Sequence, residues 1–79
     1  MVFIIAVRNG GAERFIKRTS FFGYFHGNIV LTAEMADAFR FTRKRDAESR
    51  EQVFRWRIAE YDFDEKKFGG STTEIREVA

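Results

Sequence analysis

The sequence predicts an α+β fold: a small single domain over residues 1–79, with an antiparallel sheet of about four strands and two helices on one face, in the order β-β-α-α-β-β. Three observations predict it. Residues 2–7 form a continuous apolar run rich in β-branched side chains, and Asn9-Gly10-Gly11 follows at once. Residues 43–52 are densely charged with thin amphipathicity, as a surface helix is. From Phe54 onward a period of two takes over, and it returns at residues 72–78 after Gly69-Gly70.

The run at residues 2–7 suits a strand buried on both faces and therefore the centre of the sheet. Asn9-Gly10-Gly11 tolerates positive φ and is the strongest short-range hairpin signal in the chain. Its partner strand is expected over residues 12–20, where Phe15 and Ile16 interrupt Glu13, Arg14, Lys17 and Arg18, so that one face stays wet. Periodicity is lost between residues 21 and 31, where Phe21, Phe22, Tyr24 and Phe25 crowd around Gly23 and Gly27, and His26-Gly27-Asn28 reads as a turn.

Leu31-Thr32-Ala33-Glu34 reads as a helix start with Thr32 as N-cap and Glu34 in the first turn. That short helix is expected to reach Ala38 and to lay Ala33, Met35, Ala36, Ala38 and Phe39 against the sheet. Phe39-Arg40-Phe41 is an extended link with room for a small third strand. Thr42 is the N-cap candidate for the second helix, in which Ala47 and Phe54 share a stripe and Asp46 with Arg50 forms an i, i+4 ion pair.

Phe54, Trp56 and Ile58 then point one way and Arg55 and Arg57 the other, which predicts a long strand. Ala59, Tyr61 and Phe63 have the opposite parity, which calls for two buried faces or a bulge near Ala59-Glu60. Asp62, Asp64, Glu65, Lys66 and Lys67 lead into a turn at Gly69-Gly70, and residues 72–78 close the sheet.

Composition narrows the function. The 79 residues include no Cys, no Pro, one His and ten Phe. A domain of this size buries only about 60 to 65% of its unfolded surface, and without Cys neither disulfides nor a thiolate metal site can staple it. The aromatic rings must supply the core. No apolar run approaches the roughly 20 residues that cross a bilayer, and residues 2–7 are too short for a signal-peptide core, so a cytoplasmic protein is expected. Net charge is +2, unevenly placed: residues 1–45 carry eight Lys or Arg against three acids, residues 46–79 six against nine. One end of such a chain can meet an anionic partner without the whole being a general polyanion binder.

Catalytic constellations are sparse. His26 is the one conventional general base, and it sits among glycines and aromatics with no nucleophile nearby in sequence, so it reads as a turn residue. Asp62 and Asp64 share a strand parity and could hold a divalent ion, but a calcium loop needs more oxygen ligands, and a solvated acidic turn is the better reading. A lone His without Cys cannot make a zinc set. Gly10-Gly11 and Gly69-Gly70 lack phosphate-loop spacing. No cofactor, metal site or enzymatic activity is expected.

Binding fits the residues better. Arg40, Arg43, Lys44 and Arg45 cluster at the start of the charged helix, and Arg55 with Arg57 is expected to project from the strand that follows. Phe21, Phe22, Tyr24 and Phe25 could form a stacking platform for single-stranded nucleic acid, although no RNP, KH or helix-turn-helix signature is present. The same residues suit a protein interface, whose core is enriched in aromatics and Arg and poor in Lys and Ser. Ten Phe in so short a chain also leave room for an exposed patch or a homodimer interface. Against both stands the plain alternative that the rings are core and the Arg side chains solubilise the surface.

The passage Leu31-Thr32-Ala33-Glu34-Met35-Ala36-Asp37-Ala38-Phe39-Arg40-Phe41-Thr42-Arg43, with Asp46-Ala47 after it, resembles small uncharacterised proteins of bacteriophages and other mobile elements. The resemblance covers about half the chain at the level of pattern and brings no functional residue with it. It implies a compact phage accessory protein, a group that includes inhibitors of host defence such as anti-CRISPR proteins. Those are commonly non-enzymatic single-domain binders. This chain lacks the strongly acidic balance of DNA mimics, so contact through Arg and aromatic residues is expected in place of mimicry.

The function expected is thus non-enzymatic binding that inhibits or modulates a host protein or nucleoprotein complex by surface contact. The contact set is Arg40, Arg43, Lys44, Arg45, Arg55 and Arg57, supported by Phe21, Phe22, Tyr24 and Phe25. The alternative is direct binding of single-stranded nucleic acid by the same groups. No membrane partner is expected.

Overall fold

A computed structural model describes residues 1–17 and 29–78. The apolar run forms β1 (Val2–Asn9), and β2 (Ala12–Ile16) returns beside it through a two-residue turn. Gly10 and Gly11 sit at φ 58° and 91°, the positive values that a type I′ hairpin demands at both central positions and that side chains with a Cβ resist. The short β3 (Leu31–Thr32) pairs with β2, and β4 (Thr72–Val78) pairs with the other side of β1. The sheet order is β3-β2-β1-β4, antiparallel throughout, with β1 inside as its composition demands.

Between β3 and β4 the chain makes two helices, α1 (Lys44–Glu60) and α2 (Asp62–Phe68). α1 is a long stretch rich in good helix formers, α2 a two-turn helix with acids at its start and lysines at its end, and both pack on one face of the sheet. Alternate β1 residues build two cores. Ile5 and Val7 meet Ile16, Phe41, Ala47, Val53, Phe54 and Phe68 on the helical side; Ile4 and Ala6 meet Phe15 and Ala38 on the other. Ile4, Ile5, Val7 and Phe54 are the largest fully buried side chains. Each such burial is worth roughly 1.5 to 3 kcal/mol before the entropy of ordering is set against it.

Four sequence expectations are corrected. Leu31-Thr32 pairs as strand, so the expected helix shrinks to a 3-10 turn at Met35–Asp37. The Thr32 hydroxyl still serves the backbone, accepting the Glu34 N–H at 3.0 Å, but in a local turn. Ala33, Met35 and Ala36 are consequently exposed; Ala38 is buried in the core and Phe39 packs against it half-buried.

Next, Thr42 does not cap α1. Phe41 exchanges both backbone hydrogen bonds with Phe3 at 2.8 Å, and the extended chain runs on to Arg43, which holds the N-cap position at φ −126° without a side-chain cap. The expected extended link at 39–41 is thereby found, as a bridge in place of a full strand. Asp46 pairs with Arg43 at 3.2 Å, an i, i+3 contact at the new helix start.

The largest difference lies at residues 54–63, which are helical on both sides of Tyr61 where a long strand is expected. The alternation of Phe54, Trp56 and Ile58 with Arg55 and Arg57 assumed that both arginines face water. Arg57 is instead buried, and with it the helical stripe Ala47, Val53, Phe54, Arg57 is complete. That stripe also corrects the solvent-facing character expected of this helix, and it leaves Arg50 half-buried, with burial holding its pKa below the ordinary guanidinium value.

Finally, the acidic turn is not solvated throughout. Tyr61 ends α1 and begins α2, donating its N–H to the Arg57 carbonyl and accepting from Glu65, each at 2.9 Å. Asp62, Asp64 and Glu65 occupy the first turn of α2, where the helix dipole favours acids. Asp64 is buried there at 3% exposure, its Oδ2 3.3 Å from Nε of Arg57.

The exit from α2 is tight. Gly69 donates to the Glu65 carbonyl at 2.7 Å, and a Cβ at Gly69 would collide with that carbonyl oxygen. Asn9 ties this turn to the hairpin by donating to Oγ of Ser71 at 2.9 Å. Gly69→Ala is therefore expected to cost about 1 kcal/mol or more, lowering the melting temperature by about 4 °C or more in a domain of this size. A thermal melt unchanged by the substitution would show that the turn has slack which the geometry denies.

Candidate functional site

The start of α1 and the link before it carry four cations within six residues. Arg40 lies on the extended link, its Nη1 3.5 Å from the Met35 carbonyl; Arg43 is the N-cap residue; Lys44 and Arg45 open the first turn. All four are exposed. Asp46 partly compensates Arg43, and no ion pair with a described residue engages Lys44 or Arg45.

This placement runs against the helix field. The free N–H groups at a helix start carry roughly half a positive charge, so cations there are repelled by about 0.3 to 1 kcal/mol each, where an acid would be attracted. The positive potential of the side chains and of the helix end therefore add. Such an end can hold an anionic group on a partner.

The other expected contact residues separate from this cluster. Arg55 is exposed but lies eleven residues on, roughly 16 Å along the helix axis from Lys44, and it pairs with Glu51 at 3.4 Å. Arg57, two residues later, is turned about 200° from Arg55 by helical geometry and faces the interior. Its guanidinium stands 5.9 Å from the Tyr61 ring centroid and beside Asp64, so it is a structural cation and not a contact residue. Arg55 and Arg57 do not project together because their segment is helix, with no alternation to align them. Phe21, Phe22, Tyr24, Phe25 and His26 lie outside the described residues.

Two features escape the sequence. One is a cavity of about 430 Å³ lined by Arg14, Ile29, Leu31, Phe63, Lys67 and Phe68 among others, with Phe63 69% exposed. None of the described contact candidates lines it. Its parts come from β2, β3 and α2, which are distant in sequence.

The other is a charge network on the sheet face away from the helices. Arg76 of β4 holds both carboxylate oxygens of Glu13, at 3.1 and 2.9 Å, and Arg8 donates to the same carboxylate at 2.9 Å. Arg76 also donates to Glu74 at 3.3 Å and stands 6.0 Å from the Phe15 ring centroid. The network spans β4, β1 and β2 above Ile4 and Ala6. Its register partners are Arg8 opposite Glu13 and Ile4 opposite Arg76. The cations of this face are thus matched by acids, unlike those at the start of α1.

Among the described residues no three His, Asp or Glu side chains gather into a metal-binding group, and no helix is long and apolar enough to cross a membrane. Comparison with family models, with curated proteins and with solved structures finds no match to this chain.

The network makes a pH prediction. Hydrogen bonds from Arg76, and then from Arg8, hold the Glu13 carboxyl at about 2 against an ordinary value of 4.5. In the unfolded chain Glu13 takes up its proton near 4.5, so between these values the unfolded state binds more protons and stability falls as pH falls. Unfolding midpoints are expected to drop from about pH 5 toward pH 2, and Glu13→Gln is expected to flatten the drop by removing the titrating group. An acid limb as steep in Glu13→Gln as in the native chain would assign the loss to other carboxylates.

Proposed function

We propose that this chain is a non-enzymatic binding protein that acts by surface contact, meeting an acidic face of a partner protein with Arg40, Arg43, Lys44 and Arg45. The observation that carries the reading is the position of these cations: exposed, within six consecutive residues and set at the positive end of a 17-residue helix. Folding gains nothing from that arrangement, since acids there would stabilise α1. A partner gains a concentrated positive field and four long donors.

The class of partner proposed is a host protein complex, inhibited or modulated in the host cytoplasm, as the resemblance of residues 31–47 to phage accessory proteins suggests. Arg55 can extend the contact along α1, once released from Glu51. Arg57 takes no part, because it lies inside.

The test is the double reversal Lys44→Glu/Arg45→Glu, which leaves Arg43 and Asp46 in place. Used as bait in nuclease-treated bacterial lysate, the native chain is expected to retain a stoichiometric protein, and the variant to need at least about tenfold more bait for half-maximal capture, a weakening of about 1.4 kcal/mol. Because the reversal follows the helix dipole, the variant is expected to melt higher by a few degrees while binding less. Unchanged capture by the folded variant, or capture only of nuclease-sensitive material, would overturn the proposal; the second result would favour single-stranded nucleic acid.

A further inference from the structure

Among the described residues the sheet ends on one side in β3, two residues long, and on the other in β4, seven residues long. Short edges, prolines, bulges and charged side chains, lysine above all, are the usual means of keeping a strand edge from pairing with another chain. β4 is long, its register with β1 is unbroken from Thr72 to Val78, and it contains neither Pro nor Lys; its charges, Glu74, Arg76 and Glu77, are of both signs, so they can attract a second copy as well as repel one. Among the described residues nothing pairs with its outer side.

Which backbone groups face outward follows from the hairpin. A two-residue turn closes on a pair that exchanges both hydrogen bonds, here Asn9 and Ala12, and such pairs alternate along an antiparallel ladder. The odd residues of β1 therefore bond toward β2, and Phe3 shows it independently by exchanging both bonds with Phe41 on that side. The even residues of β1 bond toward β4, opposite Thr72, Glu74, Arg76 and Val78. Thr73, Ile75 and Glu77 are left with N–H and C=O groups directed outward.

We infer that this edge is the interface of a homodimer, in which β4 of a second copy pairs antiparallel about a two-fold axis through Ile75. That register joins Ile75 to its own counterpart and Thr73 to the second copy's Glu77, so every outward group finds a partner. It also sets Glu74 opposite the second copy's Arg76, and Arg76 opposite the second copy's Glu74. Opposite charges facing each other across strands are stabilising and like charges are not. Sliding by one hydrogen-bonding step either way brings Glu74 against Glu74 or Arg76 against Arg76. The edge is complementary to itself in one register only. The result would be a continuous eight-stranded sheet with both pairs of helices on the same face.

The surface is separate from the start of α1, so the dimer stands or falls independently of the proposed partner contact. Sedimentation equilibrium is expected to give a concentration-dependent mass approaching twice the 9.3 kDa of the chain. Glu74→Arg, which sets like charges opposite each other, is expected to weaken the dimer at least tenfold without changing the circular dichroism spectrum. Register is read by cysteine, since the chain has none of its own. Ile75→Cys is expected to oxidise to a covalent dimer because position 75 faces its own copy, at the roughly 5.5 Å between Cα atoms of such a pair. Glu77→Cys, facing Thr73, is expected to stay reduced. A monomer at the highest soluble concentration, a dimer indifferent to Glu74→Arg, or equal cross-linking at both positions would overturn the inference.

Discussion

The buried pair of Arg57 and Asp64 is the constraint on which the arrangement of this molecule turns. A guanidinium and a carboxylate taken from water each lose several kcal/mol of hydration, a loss against which their mutual attraction works. Arg57 sits in the last turn of α1 and Asp64 in the first turn of α2, so the pair can form only if the chain bends sharply at Tyr61. The bend folds α2 back so that Phe68 meets Phe54, with ring centroids 6.0 Å apart. It also delivers the chain to Gly69 and Ser71, where Asn9 receives it beside the hairpin. The insertion of β4 next to β1 follows from this corner, inside which the two charges must stay paired because neither is tolerated there alone.

The same pair explains what the sequence conceals. The hairpin is legible because both faces of β1 are apolar and the turn needs two residues of positive φ, signals that reside in a dozen neighbouring residues. β4 is legible from its alternation after Gly69-Gly70. Residues 54–58 mislead because Arg57 looks like a surface residue, and assigning it to water turns a helical stripe into a strand pattern. Thr32 and Thr42 have the right chemistry for caps, but strand pairing of Leu31 with Ile16 and of Phe41 with Phe3 takes precedence over local propensity. The cationic group at 40–45 is visible as a run of letters; its separation from Arg55 and Arg57 depends on helix geometry. Glu13 and Arg76 are 63 residues apart, and no local pattern announces their contact.

Charge on this molecule divides into three kinds by environment. Arg57 is internal and matched by one carboxylate. Arg8 and Arg76 lie on the sheet face away from the helices and share Glu13, with Glu74 as a further acceptor, so their charge is balanced beside the buried layer of Ile4, Ala6 and Phe15. Lys44 and Arg45 are external, lack ion-pair partners among the described residues and stand at the positive end of a dipole. The third kind projects a field that no described ion pair offsets and that the helix end reinforces, and fields of that sort draw partners in and set association rates. The distinction matters more than the net charge of +2, which averages the three.

The most direct measurement is a double-mutant cycle at the corner, with Arg57→Met, Asp64→Leu and the double variant compared by chemical denaturation. Removing one partner leaves a buried charge alone, and each single variant is expected to lose about 3 to 5 kcal/mol. Replacing both with apolar side chains of similar volume is expected to recover most of that loss, because no charge is left stranded. Single variants that lose less than about 1 kcal/mol, or losses that simply add in the double variant, would contradict the view that this ion pair closes the corner between α1 and α2.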